Sequence, residues 1–228
     1  MDITEQSLVN SLDHTLLDPL ATAPQIEQLC DQAEQYGFHS VFVHTRWIPL
    51  AADRLHETSV KVGSVVSFPH GADSTKIKAV QAKEAIFCGA DEIDMVADLG
   101  AIVEGDSKYL LSQLQAVLRV CRSMRPQVVL KVIIEAAALN MEQKLFACSV
   151  CEKTGVDFVK TSTGYHPAGG ANLDDVRLIK DAAPNCKVKA AGGIRTAKQA
   201  IEFIKAGADR IGTSSAVQII EQFRAGES

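Results

Sequence analysis

The chain has no run of basic residues and no stripe in which basic and aromatic residues interleave, and its formal net charge is −5. That argues against nucleic acid as a partner, and it means an anionic substrate must be held by a local site. No apolar run approaches the roughly 18 residues that a membrane span needs. The first residues, Met1-Asp2-Ile3-Thr4-Glu5-Gln6, are polar and acidic, unlike a secretory signal. The six cysteines are scattered through a chain too large to need a disulfide frame, which predicts reduced thiols and a cytoplasmic location. There is no Walker segment, no Gly-x-Gly-x-x-Gly turn after the first strand-like segment and no His-x-x-x-His pair. Cys148-Ser149-Val150-Cys151 has no second pair beside it and lies within an amphipathic stretch, so neither zinc nor redox chemistry is expected of it. No Pro/Gly/Ser-rich linker divides the chain.

What is present is alternation. The 228 residues, 46% apolar and 22% charged, have the balance of an ordinary soluble globular protein. A chain of this length buries about 70–75% of the surface its unfolded form exposes, enough for one full core. Eight short segments, mostly Val/Ile-rich, read as strands: Leu12–Leu16, Ser40–His44, Lys61–Phe68, Glu92–Val96, Val128–Glu135, Asp157–Ser162, Lys187–Ala191 and Arg210–Thr213. Their consecutive apolar positions suit a parallel sheet covered by helices. Helical patterns fill the gaps at Pro24–Tyr36, Ser74–Cys88, Ser107–Met124, Met141–Thr154, Leu173–Asp181, Thr196–Ala206 and Ser214–Phe223. Gly37, Gly89, Gly155 and Gly207 each follow a helix and lead into a strand, and three of them open variants of one phrase: Gly89-Ala90-Asp91, Gly155-Val156-Asp157 and Gly207-Ala208-Asp209. Eight strands alternating with helices predict a single (β/α)8 barrel over residues 1–228. A doubly wound open sheet is the alternative, weakened by the missing glycine turn.

In such a barrel the chemistry sits at the C-terminal ends of the strands. Three lysines interrupt strand-like apolar runs: Lys131 in Val129-Leu130-Lys131-Val132, Lys160 in Val159-Lys160-Thr161, and Lys189 in Val188-Lys189-Ala190. A lone strand lysine would sit at an edge or reach for water, but a closed barrel has no edge. On successive strands five, six and seven the three converge in one mouth. Desolvation and neighbouring ammonium groups disfavour a charged amine, and a neutral lysine can attack a carbonyl to form an imine. Asp94 on strand four and Asp13 on strand one are candidate proton relays or lysine partners; a cap or turn role competes for Asp13. Gly192-Gly193-Ile194-Arg195 after strand seven and Gly212-Thr213-Ser214-Ser215 after strand eight read as a phosphate cradle at helix starts, with tight turns as the plain alternative. Arg195 either holds the phosphate or faces solvent. His70 reads as structural, and Trp47 as packing or a subunit contact. The residues leave open which lysine is the nucleophile.

The phrases Asp13-His14-Thr15-Leu16-Leu17, Phe68-Pro69-His70-Gly71, Asp91-Glu92-Ile93-Asp94-Met95-Val96, Leu130-Lys131-Val132-Ile133-Ile134-Glu135, Phe158-Val159-Lys160-Thr161-Ser162-Thr163-Gly164 and Val188-Lys189-Ala190-Ala191-Gly192-Gly193 run through nearly the whole chain. Together they resemble the deoxyribose-phosphate aldolase family. The resemblance implies a (β/α)8 barrel without metal or organic cofactor, acting on a sugar phosphate and acetaldehyde in deoxyribonucleotide catabolism, as a homodimer or other homo-oligomer. Its reaction is the reversible cleavage of 2-deoxy-D-ribose 5-phosphate to D-glyceraldehyde 3-phosphate and acetaldehyde. By position, Lys160 resembles the imine-forming lysine, Lys189 the lysine that lowers its pKa and assists proton transfer, and Asp94 the proton-relay carboxylate. Lys131 and Asp13 resemble supporting residues, and Gly164, Gly192, Gly193, Ser214 and Ser215 the phosphate cradle. Three departures stand out. Asp98 adds a carboxylate near the mouth. Tyr165 follows Gly164 where some members carry a phosphate-binding lysine. The last residues, Glu227-Ser228, lack the terminal tyrosine some members use.

Overall fold

The protein is described by a computed structural model covering residues 3–123 and 126–227. Eight parallel strands close into a barrel in chain order: β1 (Leu12–Leu16), β2 (Ser40–Val43), β3 (Lys61–Val66), β4 (Glu92–Val96), β5 (Val129–Ile133), β6 (Phe158–Lys160), β7 (Lys187–Ala191) and β8 (Arg210–Thr213). The (β/α)8 expectation holds, and the open sheet falls because β1 pairs with β8, Asp13 opposite Gly212. Among the described residues the α-helices are α1 (Glu5–Val9), α2 (Ala23–Tyr36), α3 (Ile48–Leu55), α4 (Thr75–Phe87), α5 (Leu99–Glu104), α6 (Ser107–Arg122), α7 (Met141–Thr154), α8 (Leu173–Ala182), α9 (Ala197–Lys205) and α10 (Ala216–Arg224). Among the described residues no helix is long and apolar enough to cross a membrane.

Local chemistry fixes the helix ends. Reciprocal capping boxes open α2 (Thr22/Gln25), α7 (Asn140/Gln143) and α9 (Thr196/Gln199). The repeated Gly-x-Asp phrase is explained by its aspartate. The carboxylates of Asp91, Asp157 and Asp209 accept the backbone N–H of Val62, Leu130 and Val188 at 2.9, 2.8 and 2.9 Å. Each aspartate thus ties the start of its own strand to the start of the strand before it.

Four sequence expectations are corrected in extent. The third, fifth and sixth strands stop two residues early, at Val66, Ile133 and Lys160 rather than Phe68, Glu135 and Ser162, and the second stops at Val43, one residue short of His44. Ser67 and Glu135 take left-handed backbone (φ 56° and 53°), which ends the extended run. The short helices α1, α3 and α5 are too brief to show a period in the sequence. The expected helix end at Met124 lies outside the described residues, as do Met1, Asp2 and Ser228; α6 is described to Arg122.

The outward strand residues, including Ile93, Met95, Leu130, Val132, Val188, Ala190 and Ile211, pack with the helices in one buried apolar core. The inward ones are different. Instead of the branched aliphatic layers usual in such barrels, the interior of this one holds Asp13, Glu92, Asp94, Lys131, Lys160, Lys189 and Arg210, all buried. Glycine makes the space. A Cβ on Gly63 would lie 2.3 Å from the Phe42 ring, and one on Gly212 would lie 2.9 Å from Lys189 Cε.

Candidate active site

Asp94 is the hub. Strand register sets it opposite Lys131, and Lys160 opposite Lys189. Its Oδ2 accepts from Lys160 Nζ at 2.8 Å and Lys189 Nζ at 2.7 Å, while its Oδ1 faces Lys131 Nζ at 3.1 Å. Lys189 also pairs with Asp13 Oδ2 at 2.6 Å. Asp13 Oδ1 accepts from Ser40 Oγ and Arg210, both at 2.7 Å, so Asp13 is an interior ion partner and not a cap. The Phe42 ring lies beneath Lys189 Nζ, 3.6 Å from ring centre to nitrogen, and carries Lys131 Nζ at 4.4 Å.

The charges do not balance. Lys131, Lys160, Lys189 and Arg210 face Asp13, Glu92 and Asp94 inside the barrel, so with every group ionised one positive charge is in excess. Buried as these groups are, the excess is costly, and the cheapest relief is for one amine to lose a proton. Burial by itself would raise the Asp94 carboxyl, but Lys131, Lys160 and Lys189 outweigh it and hold it well below the ordinary range. Asp13 is held low in the same way by Lys189 and Arg210. Burial would also depress Lys131, but Asp94 and Glu92 win and its pKa rises. For Lys189 burial prevails over Asp13 and Asp94, and its pKa falls to about 8.

Above the hub lies a cavity of about 370 Å³, lined by Lys160, Gly164, Gly192, Gly193, Arg195 and Ser214 among others. Of the three lysines, Lys160 lines this cavity; Lys131 and Lys189 lie beneath it, 0% and 1% exposed. Gly164, Gly192 and Gly193 have φ of 84°, 94° and 82°, backbone that turns amides toward a ligand at little cost only in glycine. Ser215 is half-buried at the start of α10, where its N–H donates to Thr213 Oγ1 at 2.9 Å.

The structure sorts the remaining expectations. Asp98 caps α5 through the Ala101 N–H at 3.0 Å, so the extra carboxylate is committed to a helix start. Tyr165 lines the cavity, with its hydroxyl donating to the Leu17 carbonyl at 2.8 Å. His70 is exposed and away from this cavity. Trp47 packs partly buried against the core with Arg46 over its ring at 4.6 Å. All six cysteines are free, and burial pushes Cys148 up to about 12.

Several contributors escaped the sequence reading. Glu92 and Arg210 open β4 and β8 from the same Gly-Ala-Asp phrase, and a charge interrupting an apolar run would have flagged them as it flagged the lysines. Gly170 has its own signal in the pair Gly169-Gly170: a Cβ there would lie 2.2 Å from the Gly192 carbonyl oxygen, so the loops after β6 and β7 meet backbone to backbone. Glu135, left-handed and buried, accepts from the Thr163 N–H at 3.1 Å and anchors the segment before Gly164. Lys78 is wholly buried on α4, donating to the Val96 carbonyl at 2.8 Å and Gln113 Oε1 at 2.9 Å; nothing in its amphipathic stretch distinguishes it from an exposed lysine.

Comparison with known proteins bears on family and fold. Residues 8–221 match the DeoC/LacD family aldolase profile. Deoxyribose-phosphate aldolase from Thermococcus gammatolerans is 48% identical over 219 residues, 95% of this chain and 96% of the relative. The enzyme of the same name from Dictyoglomus turgidum is 46% identical over 214 residues, covering 93% and 95%. Among solved structures, the tetrameric deoxyribose phosphate aldolase of Aeropyrum pernix superposes with a TM-score of 0.90 at 30% identity, covering 97% of this chain and 93% of that one. A closed barrel with a buried lysine–carboxylate hub and a sequence matched over nearly its whole length leaves one assignment: this chain belongs to the DeoC/LacD family of aldolases and is a carbon–carbon lyase.

Proposed function

We propose that this aldolase is a class I enzyme that reversibly cleaves 2-deoxy-D-ribose 5-phosphate to D-glyceraldehyde 3-phosphate and acetaldehyde through an imine on Lys160. The observation that carries the choice of nucleophile is position: Lys160 lines the cavity, while Lys131 and Lys189 lie below it. The Lys160 amine adds to the C1 aldehyde of the open-chain sugar, and loss of water leaves the protonated imine. Asp94 and Lys189, through a water, take the proton of the C3 hydroxyl as the C2–C3 bond breaks. The bonding pair flows into the imine, giving an enamine and releasing glyceraldehyde 3-phosphate. Protonation of the enamine at its terminal carbon and hydrolysis return acetaldehyde and the free amine. Lys131, held as an ammonium, and Asp13 keep Asp94 and Lys189 in place. The phosphate rests against the amides around Gly164, Gly192, Gly193 and Ser214 before α10, with Arg195 supplying the side-chain cation; Ser215, whose own N–H is taken by Thr213 Oγ1, has only its hydroxyl to offer. The Aeropyrum relative is tetrameric, and a homo-oligomer is inferred here as well, readable by light scattering.

The test is trapping. Incubation with acetaldehyde and borohydride, followed by peptide mapping, should place a single ethyl adduct on Lys160, and Lys160→Leu should lose both the adduct and turnover. An adduct on Lys131 or Lys189 overturns the role assignment. No site-specific adduct overturns the imine.

A further inference from the structure

The hub rests on a floor that the lysine chemistry leaves unassigned. Glu92, the first residue of β4, is buried at the N-terminal end of the barrel interior. Its Oε2 holds the Lys131 ammonium and faces Arg210 at 3.6 Å. Its Oε1 accepts from His39 Nε2 at 3.1 Å, where the floor opens to solvent, since the His39 side chain is 32% exposed. Arg210 in turn reaches Asp13 at 2.7 Å, and its guanidinium lies 5.6 Å from the Phe158 ring centre. The groups facing Glu92 are therefore Lys131 from β5, Arg210 from β8 and His39 from the turn before β2, with Asp13 of β1 joined through Arg210.

Resting on the lysine-imine reading above, we propose that Glu92 is a positioning residue of the site: from the barrel floor it takes up the charge of Lys131, which leaves Asp94 Oδ2 to Lys160 and Lys189. The geometry makes this a division of labour. Asp94 has two oxygens and three lysine neighbours. If Lys131 had no second carboxylate, it would draw on Asp94 alone, and the cluster would hold four cations against two anions. The surplus would fall on the amines of the site and favour their neutral forms.

The sign can be read in a pH profile. The acid limb of kcat/KM reports the ionisation that frees the amine. Glu92→Gln, nearly isosteric, removes one buried negative charge and should move that limb down by about one pH unit. Glu92→Asp keeps the charge and should keep the limb near its parent position. Arg210→Gln removes a positive charge from the same floor and should move the limb up by a similar amount, which also serves if Glu92→Gln does not melt cooperatively. Opposite shifts from the two charge removals support the proposal, because a purely structural role lowers activity at every pH without moving the limb. An unmoved limb in a folded Glu92→Gln or Arg210→Gln protein overturns it. Trapping the unmodified protein with acetaldehyde and borohydride separates the two levels: no adduct defeats the imine reading itself, while an adduct with unmoved limbs defeats only the role of Glu92.

Discussion

Adding one methyl group to β8 tests how closely Lys189 must be held. Gly212 has no side chain, and a Cβ built there would stand 2.9 Å from Lys189 Cε and 3.1 Å from Ala191 Cβ. Carbon atoms settle at about 3.5–4.0 Å, so in Gly212→Ala the end of Lys189 must retreat by roughly 0.6–1 Å. It has little room to do so. Its Nζ is fixed by Asp13 at 2.6 Å and Asp94 at 2.7 Å, and the Phe42 ring lies on another side at 3.6 Å. A displacement of that size is comparable to misplacements that cost about 100-fold in rate, while overpacking a buried site costs about 1–3 kcal/mol. For a chain of this length that is a loss of roughly 2–12 °C in Tm. Gly212→Ala should therefore fold, melt a few degrees lower and lose about two orders of magnitude in kcat for cleavage of the sugar phosphate, measured by coupled reduction of the glyceraldehyde 3-phosphate released. Turnover within twofold of the parent, together with an unchanged melt, would show that Lys189 tolerates movement and that the pairing with Asp94 is not part of the chemistry.

Asp94→Asn removes the carboxylate shared by three lysines; kcat should fall by about 10²–10⁴-fold, and stability by about 3–5 kcal/mol in denaturant titration as uncompensated ammonium groups remain. Wild-type activity in that variant would remove Asp94 from the mechanism. Arg195→Gln should raise KM for deoxyribose 5-phosphate about tenfold while leaving cleavage of unphosphorylated deoxyribose unchanged, and equal losses on both substrates would place Arg195 outside the phosphate site. Stability should rise and then fall with pH. Burial lowers Lys189 and Lys78 from 10.5 to about 8, so across that window the unfolded chain binds more protons and stability rises with pH. Burial pushes the thiols of Cys30, Cys121, Cys148 and Cys186 from 9.0 to about 12, so above pH 9 the unfolded chain sheds protons first and stability falls. Thermal melts should peak near pH 9, and a steady decline from pH 7.5 upward would contradict the lysine assignments.

The fold was legible because its signals are local and repeated. A parallel strand covered by helices carries apolar residues at consecutive positions, and the Gly-x-Asp phrase marks three strand starts where an aspartate ties neighbouring strands together. What was missed was short or conformational. Helices α3 and α5 span 8 and 6 residues, too few turns for a period to stand out. Ser67 and Glu135 end strands by adopting left-handed backbone that neither residue type announces. Lys78 has the same residue type and helical setting as its exposed neighbours, and only the packing of α4 against α6 and β4 shows that its ammonium is enclosed.

The site was legible as a set and illegible as an assignment, for a physical reason. Three lysines in apolar runs on successive strands announce convergence, because each alone is an uncompensated charge in a place that excludes water. Their local surroundings do not rank them, since all three sit in similar apolar runs; only the family resemblance singles out Lys160. Their difference arises from what lies across the barrel. Lys131 meets two carboxylates and is locked as a cation. Lys189 shares Asp13 and Asp94 while lying over Phe42, and burial prevails there. Lys160 is left with a share of Asp94 and an open side toward the cavity. Those partners come from β1, β2 and β4, distant in sequence and joined only when the barrel closes. The difference between the three lysines is therefore a property of closure, which also brings a residue as remote as Glu92 against Lys131.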